Sequence, residues 1–90
     1  MKNDTKTVQA CIIQILRESL GITESIDLYS IVDMPLTGSP IFLSGFDMVY
    51  LLFELEKRYN IRIHENAFCD YRFNTINIIT EDINKKITNL

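Results

Sequence analysis

Ser44 and Asp47 hold the most chemical content in this chain: a hydroxyl, then a carboxylate three residues on, directly before an apolar-periodic run. That spacing predicts a helix start at which the serine oxygen accepts a backbone N–H and the acid answers reciprocally. His64, the single histidine, stands beside Glu65. Such a pair can seed a zinc or acid–base site, but no second histidine and no cysteine pair has metal-ligand spacing, so no metal is expected. Glu81 and Asp82 are adjacent on a predicted helix, which points their carboxylates about 100° apart, and they read as solvated. Cys11 and Cys69 have neither a neighbouring His nor a CxxC partner and read as small buried apolar residues. No glycine-rich phosphate loop, GxSxG elbow or basic stripe with interleaved aromatics appears. No catalytic residue is expected, and nothing points to an enzyme.

Ninety residues form one domain with a modest core. The hydrophobic fraction of 47% and the charged fraction of 23%, with three glycines and two prolines, are those of a globular chain. Four tyrosines, five phenylalanines and no tryptophan leave the core mostly to Ile and Leu. A net charge of −3 argues against a basic nucleic-acid binder. The start, MKNDTKTVQA, lacks an apolar signal region, and the longest apolar stretch, Met48 to Phe53, is too short to span a bilayer. Cytoplasmic, with reduced thiols, is the expected setting.

The elements follow from spacing. Val8, Cys11, Ile12, Ile15, Leu16 and Leu20 recur at helical intervals, with Thr5 or Thr7 as the cap and Gly21 at the C-terminal stop. Gln9, Gln14, Arg17 and Glu18 occupy the other face. Residues 22–43 lose periodicity but stay apolar, which predicts a long ordered loop packed on the core, with a short helical turn at 25–32. The strongest helix runs from Phe46 to Tyr59. Phe46, Val49, Leu52, Phe53 and Leu55 are its expected inward stripe, and Glu54, Glu56, Lys57 and Arg58 its wet face. Tyr50 and Leu51 widen the apolar arc. Residues 59–63 alternate and predict an extended connector that buries Ile61 and Ile63. Residues 67–73 can form a helical turn. A last helix begins at Asn74 or Thr75 and buries Ile76, Ile79, Ile83 and Ile87.

The order of helix, long loop, helix, short helix, helix is similar to the acyl carrier protein fold, and the local sequence agrees. That family's second helix opens on Asp-Ser-Leu and runs through an apolar-periodic helix to Leu-Glu, an aromatic and an Ile-x-Ile exit. Phe46-Asp47-Met48-Val49-Tyr50-Leu51-Leu52-Phe53-Glu54-Leu55-Glu56-Lys57-Arg58-Tyr59-Asn60-Ile61-Arg62-Ile63 follows that pattern without a gap. Leu20-Gly21-Ile22 and Thr75-x-x-Ile78 look like family features at the other helices. The resemblance covers about residues 7–87 and is most specific over 44–63. It implies an all-α four-helix bundle with a long loop between helices 1 and 2, a single domain over residues 1–90 with its ordered core at about 7–87. Pro35-Leu36-Thr37-Gly38, followed by Asp47-Met48-Val49-Tyr50-Leu51, is similar to carrier-related proteins of bacterial peptide-maturation systems.

One departure matters more than the match. Family carriers bear 4'-phosphopantetheine on the signature serine, and here Gly45 stands at that position, with Ser44 where the aspartate belongs. Glycine has no oxygen to esterify. Shifting the modified residue to Ser44 would rotate the following stripe by about 100° unless the loop absorbed a residue. Two readings stay open. One is a non-carrying docking or accessory protein for a biosynthetic or peptide-maturation enzyme, with no prosthetic group. The other is a genuine acyl or peptidyl thioester carrier modified at Ser44. Asp47, Glu54 and Glu56 are nearly balanced by Lys57 and Arg58, so the acidic steering of ordinary carriers is weak here. The docking candidates are Phe46, Asp47, Tyr50, Leu51 and Glu54. Tyr50 and Leu51 either offer an aromatic and apolar contact or pack against residues 36–43. A monomer or weak homodimer is expected.

Overall fold

The computed structural model describes residues 5–63 and 75–88. These residues are all-helical: α1 (Thr5–Glu18), α2 (Gly45–Tyr59) and α3 (Ile76–Thr88), with a 3-10 turn at Leu28–Ile31 and no strand. The turn expected at 67–73, together with His64, Glu65 and Cys69, lies outside the described residues. No described helix is long and apolar enough to cross a membrane.

Helix α1 is the central element and packs on both α3 and α2. Of the stripe the spacing predicts, Val8, Ile12, Ile15 and Leu16 are buried, with Ile13 beside them, while Cys11 and Leu20, the latter beyond the helix end, are only partly buried. Thr7 lies inside the first turn and does not cap it, because the helix already begins at Thr5. At the other end Gly21 adopts φ +73°, a conformation that strains residues with a Cβ. The chain folds back there, and the Ile22 N–H donates to the Leu16 carbonyl at 2.9 Å. Arg17, expected on the wet face, reaches across this corner and donates to the carbonyls of Thr23 (3.2 Å) and Ile26 (3.1 Å).

Residues 19–44 connect α1 to α2 and bring four large apolar side chains, Leu28, Leu36, Ile41 and Leu43, into the core. The 3-10 turn falls within the predicted 25–32 window. Asp27 caps it by accepting the Tyr29 N–H at 3.1 Å. That bond satisfies a donor which the start of the turn would otherwise leave orphaned.

Helix α3 buries Ile76, Ile79 and Ile83, as the 3.6-residue spacing requires, and Ile87 packs at the edge. Thr75 sits just ahead of the helix, and its hydroxyl accepts the Ile78 N–H at 3.1 Å. Asn77 fastens three segments together. Its side-chain amide donates to Asp33 (2.6 Å) and accepts from Gln9 (2.6 Å), and its backbone N–H donates to the Val32 carbonyl (2.9 Å). Gln9 is thus a bonded member of the α1–α3 contact, not a purely solvated residue. Asp82 is held by Lys86 one turn on, at 2.6 Å.

Candidate functional site

The candidate site is the start and outer face of α2. Ser44 is the N-cap, in an extended backbone conformation (φ −78°, ψ 169°). Its Oγ accepts the Asp47 N–H at 3.1 Å, and the Asp47 carboxylate accepts the Ser44 N–H at 3.1 Å. This is the reciprocal capping box that the Ser-x-x-acid spacing predicts. It satisfies two donors that a helix start leaves orphaned, and it places a negative charge at the positive end of the helix dipole. The serine side chain is exposed but already engaged as an acceptor.

Gly45 is the first residue of the helix. Its φ is not positive, and a Cβ built there would meet nothing within 4 Å. Neither backbone strain nor crowding therefore demands glycine at this position. A serine would fit where the resemblance places the attachment residue.

The rotation of α2 differs from the expected one. The buried stripe is Met48, Leu51, Leu52 and Leu55, at i, i+3, i+4 and i+7. Phe46 and Phe53, expected to point inward, are 91% and 55% exposed. Leu51, a docking candidate, is 0% exposed and belongs to the core, so its side chain offers no contact surface. Tyr50 is the member of that pair which reaches solvent, at 41%. Phe46, Tyr50 and Phe53 thus form an aromatic line about 180° around the helix from the aliphatic stripe. Phe42, exposed just before the cap, is held at φ 57°. A left-handed backbone is uncommon for a bulky residue, and here the Phe42 N–H donates to the Gly38 carbonyl at 2.8 Å while Leu43 on its other side is buried.

The remaining docking candidates have local bonds. Asp47 serves the capping box, and Glu54 pairs with Lys57 at 3.3 Å. Glu56, expected to face water, accepts the Ile63 N–H at 2.7 Å, which pins the extended exit of α2 and helps bury Ile63. Phe53 is the exposed residue of this face that the spacing placed inward. Its signal was the aromatic spacing 46–50–53, which competes with an aliphatic spacing on the opposite side.

Where α2 ends, Asn60 takes the left-handed cap (φ 52°, ψ 48°) and its N–H donates to the Glu56 carbonyl. Beside it, Tyr59 packs against the core, and the α1 thiol of Cys11 lies against both Tyr59 and the Arg58 guanidinium, with Nη1–Sγ at 3.7 Å. Burial, then the hydrogen bond with Cys11, pushes the Tyr59 hydroxyl up to about 12. Cys11 is a free thiol that is partly buried at this helix–helix seam. Among the described residues no three His, Cys, Asp or Glu side chains gather where a metal ion could sit.

No protein-family model, no curated protein and no solved structure matches this chain.

Proposed function

We propose that this protein is an acyl-carrier-like docking or accessory protein for a biosynthetic or peptide-maturation enzyme, and that it carries no prosthetic group. The observation that bears most weight is the pairing of Gly45 with Ser44 at the start of α2. The position that aligns with the attachment serine has no hydroxyl, and the neighbouring hydroxyl accepts the Asp47 N–H in a capping box. In this reading the complete fold is a four-helix bundle of carrier type. The long apolar connection from α1 to α2 and the Thr75-opened last helix support it.

The function then rests on contact, not on cargo. Phe46, Tyr50 and Phe53 supply an exposed aromatic line on the helix that carriers present to enzymes, and aromatic side chains are enriched at interface hot spots. The nearly balanced charge of α2 suits an apolar contact better than electrostatic steering.

Co-expression with a promiscuous phosphopantetheinyl transferase, read by intact mass, tests the proposal. The wild-type chain is expected to show no gain, whereas Gly45→Ser gains one phosphopantetheine because the scaffold then has its hydroxyl in register. A gain in the wild type that disappears in Ser44→Ala overturns the proposal and makes the protein a thioester carrier modified at Ser44.

A further inference from the structure

We infer that residues 32–43 form a strap that docks on the aliphatic core and undocks from it as one cooperative unit, clasped shut by Asn77 at the start of α3. Four backbone hydrogen bonds stay inside the strap: Gly38 N–H to the Pro35 carbonyl (3.2 Å), Ile41 and Phe42 N–H to the Gly38 carbonyl (3.0 and 2.8 Å), and Leu43 N–H to the Leu36 carbonyl (2.9 Å). The last of these closes the segment on itself, as in a compact surface loop whose ends meet. Its grip on the core is apolar, through Leu36, Ile41 and Leu43. A loop this short has no core of its own, so its internal bonds last only while it is docked.

The clasp is polar and lies at the upstream end. The Asn77 N–H donates to the Val32 carbonyl at 2.9 Å, and the Asn77 side-chain amide donates to Asp33 at 2.6 Å while accepting from Gln9 of α1 at 2.6 Å. Asn77 is the second residue of α3, where a helix leaves the N–H without an internal partner. The strap supplies that partner. Asp33 is exposed, and water can replace its bond to Asn77 at small net cost.

Strain favours release at the downstream end. Phe42 is held at φ 57° with its ring largely exposed, and the burial of Leu43 beside it keeps it there. Undocking relieves that backbone while the hydrogen bonds within α1 and α3 stay intact. It therefore costs less than global unfolding. The strap ends at Ser44, so its motion reaches the cap of α2. This inference goes beyond the docking reading and does not rest on it.

Amide hydrogen exchange of the full chain, followed by NMR where reclosing outpaces exchange, tests it. The amides of Ile41, Phe42, Leu43 and Asn77 are expected to share one opening equilibrium, about tenfold or more above that of Leu16 in α1 and Ile83 in α3. In low urea the strap amides show a shallow dependence, because undocking exposes little surface, whereas Leu16 and Ile83 follow the full slope of global unfolding. Asp33→Ala is expected to speed exchange at all four strap-linked amides together, about threefold to tenfold, the range one hydrogen bond supplies. Strap amides that match Leu16 in rate and urea slope overturn the inference. So does an Asp33→Ala variant in which Asn77 exchanges faster while Ile41 and Leu43 do not, since clasp and strap would then be uncoupled. The phosphopantetheine experiment is read independently of either result.

Discussion

Two apolar stripes run along α2, and they part company in composition. The inward one is aliphatic: Met48, Leu51, Leu52 and Leu55 pack with the Ile- and Leu-rich faces of α1 and α3 in one cluster. The outward one is aromatic: Phe46 is almost fully exposed, and Tyr50 and Phe53 are about half exposed. Both satisfy the same helical period, so periodicity alone does not separate the buried face from the exposed one. The difference lies in what each side meets. Branched aliphatic side chains interdigitate with other aliphatics at native density, while large rings offer flat area to an external partner.

The sharpest way to break this contrast is to truncate the inward stripe. Leu51→Ala removes a fully buried side chain and is expected to cost about 2–5 kcal/mol in urea unfolding, a large share of the stability of a domain this size. A loss under about 1 kcal/mol would mean that Leu51 is not a core residue.

The cap comes next, since it fixes where α2 begins. Ser44→Ala removes the acceptor for the Asp47 N–H and is expected to cost about 1 kcal/mol. Ser44→Asp, which keeps an acceptor, should recover most of it.

Tyr59, at the edge of the inward side, gives a smaller and pH-dependent effect. Its folded value of about 12 lies above the ordinary 10.0, so the folded state holds the proton more tightly than the unfolded chain. The associated stability is complete below pH 10 and declines as pH rises from there toward about 12. Alkaline denaturation followed by circular dichroism is expected to show that decline, and Tyr59→Phe to flatten it. Tyrosinate absorbance that titrates entirely near pH 10 would contradict the assigned environment.

Much of the architecture was legible because local chemistry determines it. The α1 stripe, the stop at Gly21, the turn near Leu28, the Ser44 cap and the α3 isoleucines each depend on residues within a few positions of one another. The rotation of α2 was not legible. The helix is apolar around most of its circumference, so either arc could serve as the core face, and the choice is made by tertiary contacts. Leu43, buried one residue before the cap and bonded to the Leu36 carbonyl at 2.9 Å, anchors the entry to α2. The Asn77 junction was equally out of reach, since its side-chain partners Asp33 and Gln9 lie 44 and 68 positions away. At the candidate site, Phe46 and Phe53 stand exposed where the spacing placed them inward, and Leu51, a docking candidate, is buried; Tyr50 is the one of that pair that reaches solvent.

The central claim is that the outward aromatic line serves contact and not folding. Urea unfolding of the double substitution Phe46→Ser and Tyr50→Ser tests it most directly. Stability within about 1 kcal/mol of wild type is the predicted result, as for exposed substitutions away from packed features. A loss of about 3 kcal/mol or more, comparable with Leu51→Ala, would place those rings in the core and contradict the claim.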